Sequence, residues 1–319
     1  LSRSDLATRL ESAADRLHRP STLVCVIGDF KQGKSMLVNA VIGRDVCPVD
    51  DDVSTVNFTA AHIADSVQAR VRRSVDGQPK TEDVALEDVW RFVTESGSVD
   101  DRAGVDLVEI GVPSRGLPAG VVIIDTPGVG GLLDQNAAAT LGYLRVVDAA
   151  VFVCDASQEL TAPEVDFLSR ANQICPNLLV VVTKTDLYPS WDRIVELDRE
   201  HLAKRGMPVD PVPVSAAVFR EGIRRDLPDL TVESGIPRLR ELLVEQVVTG
   251  ARERSAAYAV SEVGWAIERL REPLEAELVV LEDPDRADET VAVLSAAEAR
   301  LEMLRAAGSR WSTVLNDHF

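Results

Sequence analysis

Two patterns of apolar residues, short continuous runs and amphipathic segments, follow each other in turn along roughly the first 250 positions of the chain. Short continuous apolar runs predict strands at 22–27, 56–63, 67–74, 105–112, 120–125, 149–154, 178–183 and 211–214. Amphipathic segments predict helices at 34–42, 86–95, 136–146, 163–173, 192–205 and 236–248. Strands that alternate with helices indicate an α/β fold with a mostly parallel, doubly wound sheet. In such a fold ligands bind at the carboxyl ends of the strands.

The two ends of the chain show only helical patterns. Residues 4–18 place Leu6, Leu10, Ala13 and Leu17 on one helical face. Two further helices are predicted at 250–282 and 287–316. Their apolar stripes consist of Val260, Val263, Ile267, Leu270, Leu274, Leu278 and Leu281, and of Val291, Leu294, Ala297, Leu301, Leu304, Trp311 and Leu315. We expect these three helices to form one neck bundle; the alternative is a helical cap on the sheet. The predicted domains are therefore 1–20, 21–249 and 250–319.

Composition narrows the class of partner. The 319 residues carry a net charge of −18, which argues against nucleic acid as a partner and against electrostatic docking of this chain on anionic lipid. The four cysteines lack C-x-x-C spacing and fit a reducing cytosol. No apolar run approaches the roughly 18 residues of a membrane span. The chain begins with Leu1 rather than methionine and stops after a helical pattern, so we expect a fragment of a longer protein.

Residues 28–35, GDFKQGKS, fit the phosphate-binding pattern G-x-x-x-x-G-K-[ST] between a strand and a helix. In that context backbone N–H groups point at a phosphate chain. We expect Lys34 to reach the β- and γ-phosphates and the Ser35 hydroxyl to ligate Mg²⁺. The other positions predicted to bind nucleotide in this loop are Gly28, Asp29, Phe30, Lys31, Gln32, Gly33 and Met36.

A second motif, VVIIDTPG at 121–128, is a strand pattern that ends in D-x-x-G. Asp125 is predicted to hold Mg²⁺ through a water, and the Gly128 N–H to sense the γ-phosphate. A threonine between the two motifs is expected to complete the metal site. Thr55 is favoured over Thr59, because Thr59 falls inside a strand pattern and is interpreted as structural.

The segment LLVVVTKTDL at 178–187 predicts the base. Asp186 can accept hydrogen bonds from guanine N1–H and the exocyclic amine, whereas adenine would leave the carboxylate unpaired at a cost of ~1–3 kcal/mol or more. The Lys184 stem is expected to cover the base plane. In PVSA at 213–216, the Ala216 N–H is expected to meet the base carbonyl. The other residues of these two segments that are predicted to contact the nucleotide are Thr183, Leu187 and Ser215.

Val129 follows DTPG, where a Ras-like enzyme has a water-positioning glutamine, so another group must orient the attacking water. Together with the enlarged domain and the flanking helices, this favours the dynamin superfamily. GDFKQGKSMLVNAVIG, DTPGVGGL, ATLGYLRVVDAAVFVCDASQELTAPE and QICPNLLVVVTKTDLYPSW closely resemble the mycobacterial isoniazid-inducible dynamin-like GTPases. The resemblance runs from about residue 20 to about 250, and more weakly beyond.

The resemblance implies a P-loop domain that binds GTP or GDP with Mg²⁺, hydrolyses GTP and sits on a helical neck. It further implies a homodimer through the GTPase domain, or a hetero-partner of the same family. Membrane remodelling is implied for a region absent from this sequence, with the full-length protein cytoplasmic and peripheral to the inner face of the plasma membrane. Two rival functions remain: a GTP-binding switch or scaffold with negligible hydrolysis, and an Era-type ribosome-associated GTPase. The latter would need a basic RNA-binding module.

Lys31 occupies the position where atlastin-like and guanylate-binding members of the superfamily carry a P-loop arginine that acts in cis. A cation there can meet charge that develops between the β- and γ-phosphates. The predicted catalytic set is Lys31, Lys34, Ser35, Thr55 and Gly128. The alternative for Lys31 is a solvent-facing lysine without a catalytic part. Phe30 is expected to be a packing residue, and Gln32 to contact phosphate, nucleotide or a facing subunit.

Overall fold

The computed structural model describes residues 4–18, 21–49, 55–75, 78–114, 116–127, 141, 144, 146–175, 177–249 and 251–282. The chain divides into two compact units. Residues 15–255 form the larger unit, and residues 4–14 and 256–282 belong to the other. The predicted helix at 287–316 and most of the predicted helix at 136–146 lie outside the described residues.

One nine-stranded sheet forms the centre of the larger unit, in the order β4-β3-β5-β2-β6-β1-β7-β8-β9. Its strands are β1 (Thr22–Gly28), β2 (Thr59–Ile63), β3 (Gln68–Val75), β4 (Gln78–Val84), β5 (Val105–Val112), β6 (Val121–Asp125), β7 (Ala149–Asp155), β8 (Leu178–Thr183) and β9 (Val212–Pro213). One half of the sheet consists of β6, β1, β7, β8 and β9, and all neighbouring strands in it are parallel. The β2–β6, β3–β5 and β3–β4 pairs are antiparallel, and β2–β5 is parallel. The prediction of an enlarged, mostly parallel α/β sheet is confirmed.

β4 is the strand that the apolar pattern does not predict. Its sequence, QPKTEDV, has no alternating apolar residues, and most of its side chains are exposed. β4 pairs only with β3 and lies at the edge of the sheet. An edge strand with charged residues and a proline is poorly suited to further pairing, so its polarity suits its position.

The helices are α1 (Ser4–His18), α2 (Lys34–Ile42), α3 (Trp90–Val93), α4 (Val99–Arg102), α5 (Ala162–Ile174), α6 (Trp191–Lys204), α7 (Ala216–Arg224), α8 (Pro228–Glu233), α9 (Ile236–Leu242) and α10 (Ala251–Glu282). The helix predicted at 86–95 is instead a 3₁₀ turn, Leu86–Asp88, followed by the short α3. The segment predicted as one helix at 236–248 is α9 followed by a π-helical turn, Leu243–Val248.

The apolar pattern also misses α7 and α8, which form a tight helical pair. Gly222 lies inside α7 and would ordinarily weaken a helix. A Cβ at this position would lie 2.7 Å from the Thr231 hydroxyl oxygen of α8 and 2.9 Å from the Thr231 backbone nitrogen. The glycine therefore allows α7 and α8 to approach each other closely.

The sheet has an apolar core on each face. Alternate residues of β1 enter opposite cores, Val24 and Val26 on one face and Cys25 and Ile27 on the other. A strand covered on both faces is expected to be a continuous apolar run, as this one is. All four cysteines are buried and none is in a disulfide; burial raises the pKa of Cys25 to about 12.

The two long terminal helices differ in how their apolar residues are covered. In α1, Leu6 and Ala13 are buried, but Leu17 is 45% exposed. The α10 stripe is 45–73% exposed at Val260, Val263, Ile267, Leu270, Leu274 and Leu278. Packing of this stripe against residues 287–316 stays a prediction. Among the described helices, none combines the length and apolar character that crossing a membrane requires.

Asp198 of α6 is a buried carboxylate whose charge should reduce stability at neutral pH. It is 0% exposed; one oxygen accepts from the Leu160 N–H at 2.7 Å, and the other has no hydrogen-bond partner among the described groups. Burial raises the pKa of Asp198 to about 6; nearby Glu164 and Glu159 also raise it, while the Leu160 bond and His201 act to lower it.

We expect Asp198→Asn to stabilise the protein by roughly 2–3 kcal/mol at pH 7.5, because asparagine keeps the acceptor and removes the charge. The folded-state pKa lies above the unfolded value. The destabilisation in the wild type is therefore complete above pH 6 and fades as the pH falls towards 4. Urea unfolding at several pH values measures the difference, with the exposed Asp192→Asn of the same helix as control. An equal gain at pH 4 and pH 7.5 would contradict this explanation.

Candidate nucleotide-binding site

The turn after β1 is shaped by a close approach between two backbones. Gly28 has φ 150°, and a Cβ there would lie 2.2 Å from the Val153 carbonyl oxygen of β7. Gly33, with φ 88°, precedes α2, whose first turn contains no acidic residue. The first N–H groups of a helix have no partner within the helix, and no carboxylate of the first turn of α2 competes for them, which is the arrangement that binds a phosphate chain.

Lys34 and Lys31 lie in different environments within this loop. Lys34 is buried, and its ammonium group donates to the Asp29 carbonyl at 2.8 Å, closing the loop on itself. Burial lowers the pKa of Lys34, while Asp125 and Asp29 act to raise it. Lys31 is exposed, adopts φ 60°, and its ammonium nitrogen lies 5.4 Å from the centre of the Phe30 ring.

Phe30 is only partly buried, although it is expected to be a packing residue. Its side chain is 39% exposed, because the tip of the loop lies at the surface. Gln32 differs from Phe30, since its side-chain oxygen is buried and has no hydrogen-bond partner among the described groups. A buried acceptor without a partner is costly, so this oxygen is suited to a donor that a ligand supplies.

Three predicted metal ligands lie together beside the loop. The Ser35 hydroxyl donates to one Asp125 oxygen at 2.7 Å, and Ser35 Oγ lies 3.4 Å from Thr55 Oγ1. Thr55 is held by an isolated bridge to Thr94, whereas Thr59 is buried in β2. Gly128 lies outside the described residues.

Asp125 fits the role of an oxygen donor towards Mg²⁺. It is 1% exposed, and its second oxygen has no partner among the described groups. Burial raises the pKa of Asp125, while the Ser35 hydrogen bond and the Lys34 charge act to lower it. Within the described residues, no three histidine, cysteine or acidic side chains form a metal cluster. The donors present are hard oxygens of a hydroxyl and carboxylate kind, which Mg²⁺ prefers.

The predicted guanine contacts lie at the carboxyl ends of β8 and β9. The Thr183 hydroxyl donates to the Gln32 carbonyl at 2.6 Å, which joins the end of β8 to the phosphate loop. Asp186 accepts from the Ser215 hydroxyl at 2.6 Å. Ser215 also accepts from the Val218 N–H at 3.0 Å and so caps α7, whose first residue is Ala216. Leu187 is 63% exposed.

Asp155, at the end of β7, is a site residue that the sequence reasoning missed. It accepts from the Lys184 ammonium group at 2.8 Å and from the Ser157 N–H at 3.1 Å. Burial acts to raise the pKa of Asp155, but the bonds from Lys184 and Ser157 hold it below its ordinary value. Lys184 itself adopts φ 58°. The sequence did contain a signal for Asp155, because it is a carboxylate at the end of an apolar run. That run forms β7, which pairs with β8.

Asn39 is a second missed residue, and it fixes Val46 and Cys47 in the segment after α2. Its side-chain oxygen accepts from the N–H groups of Val46 and Cys47 at 2.9 and 2.8 Å. Its amide nitrogen donates to the Cys47 carbonyl at 2.8 Å. A polar residue inside the apolar helix KSMLVNAVI was the signal that could have identified it.

This site, on this fold, defines a P-loop nucleotide-binding domain. A sequence model described as the dynamin family matches residues 24–185. The chain belongs to the dynamin family and carries a GTPase domain of that family.

Several relatives agree with this membership. The isoniazid-induced protein IniA of Mycobacterium tuberculosis is 36% identical over 319 residues, covering 99% of this chain and 50% of IniA. Dynamin-like protein 1 of Campylobacter jejuni is 23% identical over 308 residues, covering 80% of this chain and 41% of that protein. A solved structure described as an oligomerised bacterial dynamin pair matches with TM-score 0.59 at 20% identity, covering 98% of this chain and 50% of that chain. The chain thus spans about half the length of these proteins.

We expect Asn39→Ala to destabilise the larger unit by roughly 3 kcal/mol, because it leaves three buried backbone groups without partners. The buried N–H groups and carbonyl cannot recover those bonds from water. Urea unfolding followed by tryptophan fluorescence measures the loss. Gln173→Ala, at an exposed position in α5, is the control and should change stability little. A loss below 0.5 kcal/mol at Asn39, by the usual scale of surface substitutions, would show that this segment is held by other contacts.

Proposed function

We propose that this domain binds one guanine nucleotide together with Mg²⁺ and hydrolyses GTP to GDP and phosphate. The observation that carries the proposal is the meeting of Ser35, Thr55 and Asp125 beside the phosphate loop. Ser35 and Thr55 come from segments 20 residues apart, and Asp125 lies 90 residues beyond Ser35. Hydroxyl and carboxylate oxygens at this position suit a divalent cation bound to nucleotide phosphates.

Each group has a proposed role in phosphate binding. The Lys34 ammonium group leaves the Asp29 carbonyl and neutralises the β- and γ-phosphates. Ser35 and Thr55 would supply hydroxyl oxygens to a bound Mg²⁺, and Asp125 would hold the ion through a water. The bound ion would neutralise charge on the phosphate oxygens. The Gly128 N–H senses the γ-phosphate, and a group other than the usual glutamine orients the attacking water.

Guanine selection rests on the loops after β8 and β9. We infer that Asp186, already oriented by the Ser215 hydroxyl, accepts both donors of the guanine edge. The Lys184 stem covers the base while its ammonium group stays paired with Asp155. The Ala216 N–H meets the base carbonyl. Adenine offers no matching donors to Asp186 and is therefore excluded.

In the full-length protein, hydrolysis would be coupled to pairing of GTPase domains and to motion of a helical neck. We propose a homodimer, or a pair with another member of the family, and a bundle built from residues 4–18, 250–282 and 287–316. Membrane remodelling would belong to parts of the protein beyond this chain, at the inner face of the plasma membrane. Support comes from the bacterial dynamin pair, which is described as providing a mechanism for the long range sensing and tethering of membranes.

A second candidate function is a GTP-binding switch that hydrolyses negligibly. Val129 in place of the water-positioning glutamine favours it. The exposed Lys31, which contacts Phe30 rather than the interior of the loop, also favours it. Phosphate release that rises more than linearly with protein concentration would exclude this candidate and support hydrolysis upon pairing.

We expect Asp186→Asn to weaken GTP binding by about 100-fold and to favour xanthosine triphosphate, because one acceptor oxygen becomes a donor. Competition between the two nucleotides in fluorescence titrations measures the change. Asp229→Asn, an exposed substitution in α8, should alter neither affinity. Unchanged GTP affinity in Asp186→Asn would mean that the base binds elsewhere.

Lys31→Ala should lower kcat by about tenfold and leave KM within a few-fold, if the lysine acts on charge that develops only during transfer. Lys31→Arg should keep much of the activity. Steady-state phosphate release, followed over a range of protein concentrations, measures kcat and KM. The exposed substitution Lys204→Ala is the control. A wild-type rate in Lys31→Ala at every concentration would assign Lys31 to the surface, without a catalytic part.

A further inference from the structure

A cleft of about 560 Å³ runs along α2, on the side that faces α7 and the loop after α2. This volume lies within the range of small-molecule sites, which is roughly 300–1,000 Å³. One end of the cleft is formed by Met36 and Ala216, which also belong to the predicted nucleotide set. The other end is formed by Gly43, Ser114 and Arg240, and lies about 10 Å farther along the helix. Most of the cleft is therefore separate from the nucleotide site.

Arg240 provides a fixed positive charge at the distal end. Its guanidinium group donates to the carbonyls of Ala40 and Val41 at 2.7 and 3.0 Å, and its central carbon lies 4.8 Å from the centre of the Phe219 ring. These neutral partners orient the group without cancelling its charge. Among the described residues, no carboxylate forms an ion pair with Arg240.

Two more arginines line the cleft without a partner. Arg44 and Arg220 are exposed, and within the described part of the chain neither makes an ion pair. Arg224 differs, because it is paired with Glu221 at 2.6 Å. Asp45 is the carboxylate that also lines the cleft. Three uncompensated arginines against one aspartate give a local positive excess in a chain of net charge −18.

The cleft also presents apolar side chains to solvent. Val49 is 46% exposed and Ile223 is 61% exposed, and both line the cleft. A neighbouring cavity of about 330 Å³ shares Val49 and Arg220 with it and adds Trp90, which is 43% exposed. Apolar walls beside guanidinium groups suit a ligand that has both an apolar body and an anionic group.

We propose that this cleft is a binding site for a small anionic amphiphile, a carboxylate, sulfonate or phosphate ester carried on an apolar chain or ring. The anionic group lies among Arg44, Arg220 and Arg240, and the apolar part covers Val49 and Ile223. The ligand does not take part in phosphate transfer. The proposal stands independently of the nucleotide assignment.

Calorimetric titration of the whole chain with octyl phosphate, below its micelle concentration, tests the proposal. Octyl glucoside is the matched neutral probe. We expect one octyl phosphate per chain, bound at least about tenfold more tightly than octyl glucoside. Saturating GDP should leave this site available, because the two sites share only the Met36–Ala216 end.

The double variant Arg44→Gln with Arg220→Gln should weaken octyl phosphate by about tenfold or more and leave octyl glucoside unchanged. Arg170→Gln with Arg193→Gln removes the same charge from exposed arginines elsewhere and should change neither titration. Equal affinity for the two probes, no binding of octyl phosphate, or an equal loss in both double variants would overturn the proposal. Complete displacement by GDP would overturn it too, since the cleft would then be the outer part of the nucleotide site.

Discussion

The close approach of Gly28 to the backbone of Val153 is the constraint on which the rest of the site depends. With a side chain at Gly28, the turn after β1 would clash with β7. This contact, together with the Thr183 bond to the Gln32 carbonyl, holds the phosphate loop against the ends of β7 and β8. The loop that is proposed to bind phosphates and the loop that is proposed to select guanine are thereby joined through the main chain.

Two buried charged groups, Lys34 of the phosphate loop and its neighbour Asp125, also suit a particular ligand. Both groups are nearly inaccessible to solvent. Burial lowers the pKa of Lys34 and raises the pKa of Asp125, so it favours the neutral form of each. Each group acts to oppose the other's shift. A cation and a carboxylate held in this way are suited to a ligand that brings both negative phosphates and a divalent metal ion, because such a ligand compensates both groups at once.

The residues that could be predicted from sequence are those in short local patterns. Lys34 and Ser35 begin the helix after one strand pattern, and Asp125 ends another, so their positions at the carboxyl edge of the sheet could be inferred. Asp155 and Asn39 left only a weak signal, because a single polar residue beside or inside an apolar run does not reveal its partner. Arg240 left no signal, because its partners depend on how distant segments pack. Arg240 bonds to carbonyls 199 and 200 residues earlier in the chain.

The elements that the apolar pattern did not predict also depend on tertiary packing. β4 has a polar sequence because it is an edge strand, and α7 contains a glycine because α8 packs closely against it. The α10 stripe gave a clear helical pattern and the helix exists, yet the pattern alone did not determine what covers it. Periodicity predicts an element and its apolar face, whereas the partner of that face depends on the tertiary structure.

Equilibrium titration of the chain with GDP and with ADP, in Mg²⁺ and in chelator, tests the central claim most directly. If the phosphate loop and the loops after β8 and β9 form one site, GDP should bind at least about 100-fold more tightly than ADP. A parallel titration with GTP tests the metal site: GTP should bind more weakly in chelator than in Mg²⁺. Equal affinities for GDP and ADP, or GTP binding that does not respond to the metal, would contradict the account.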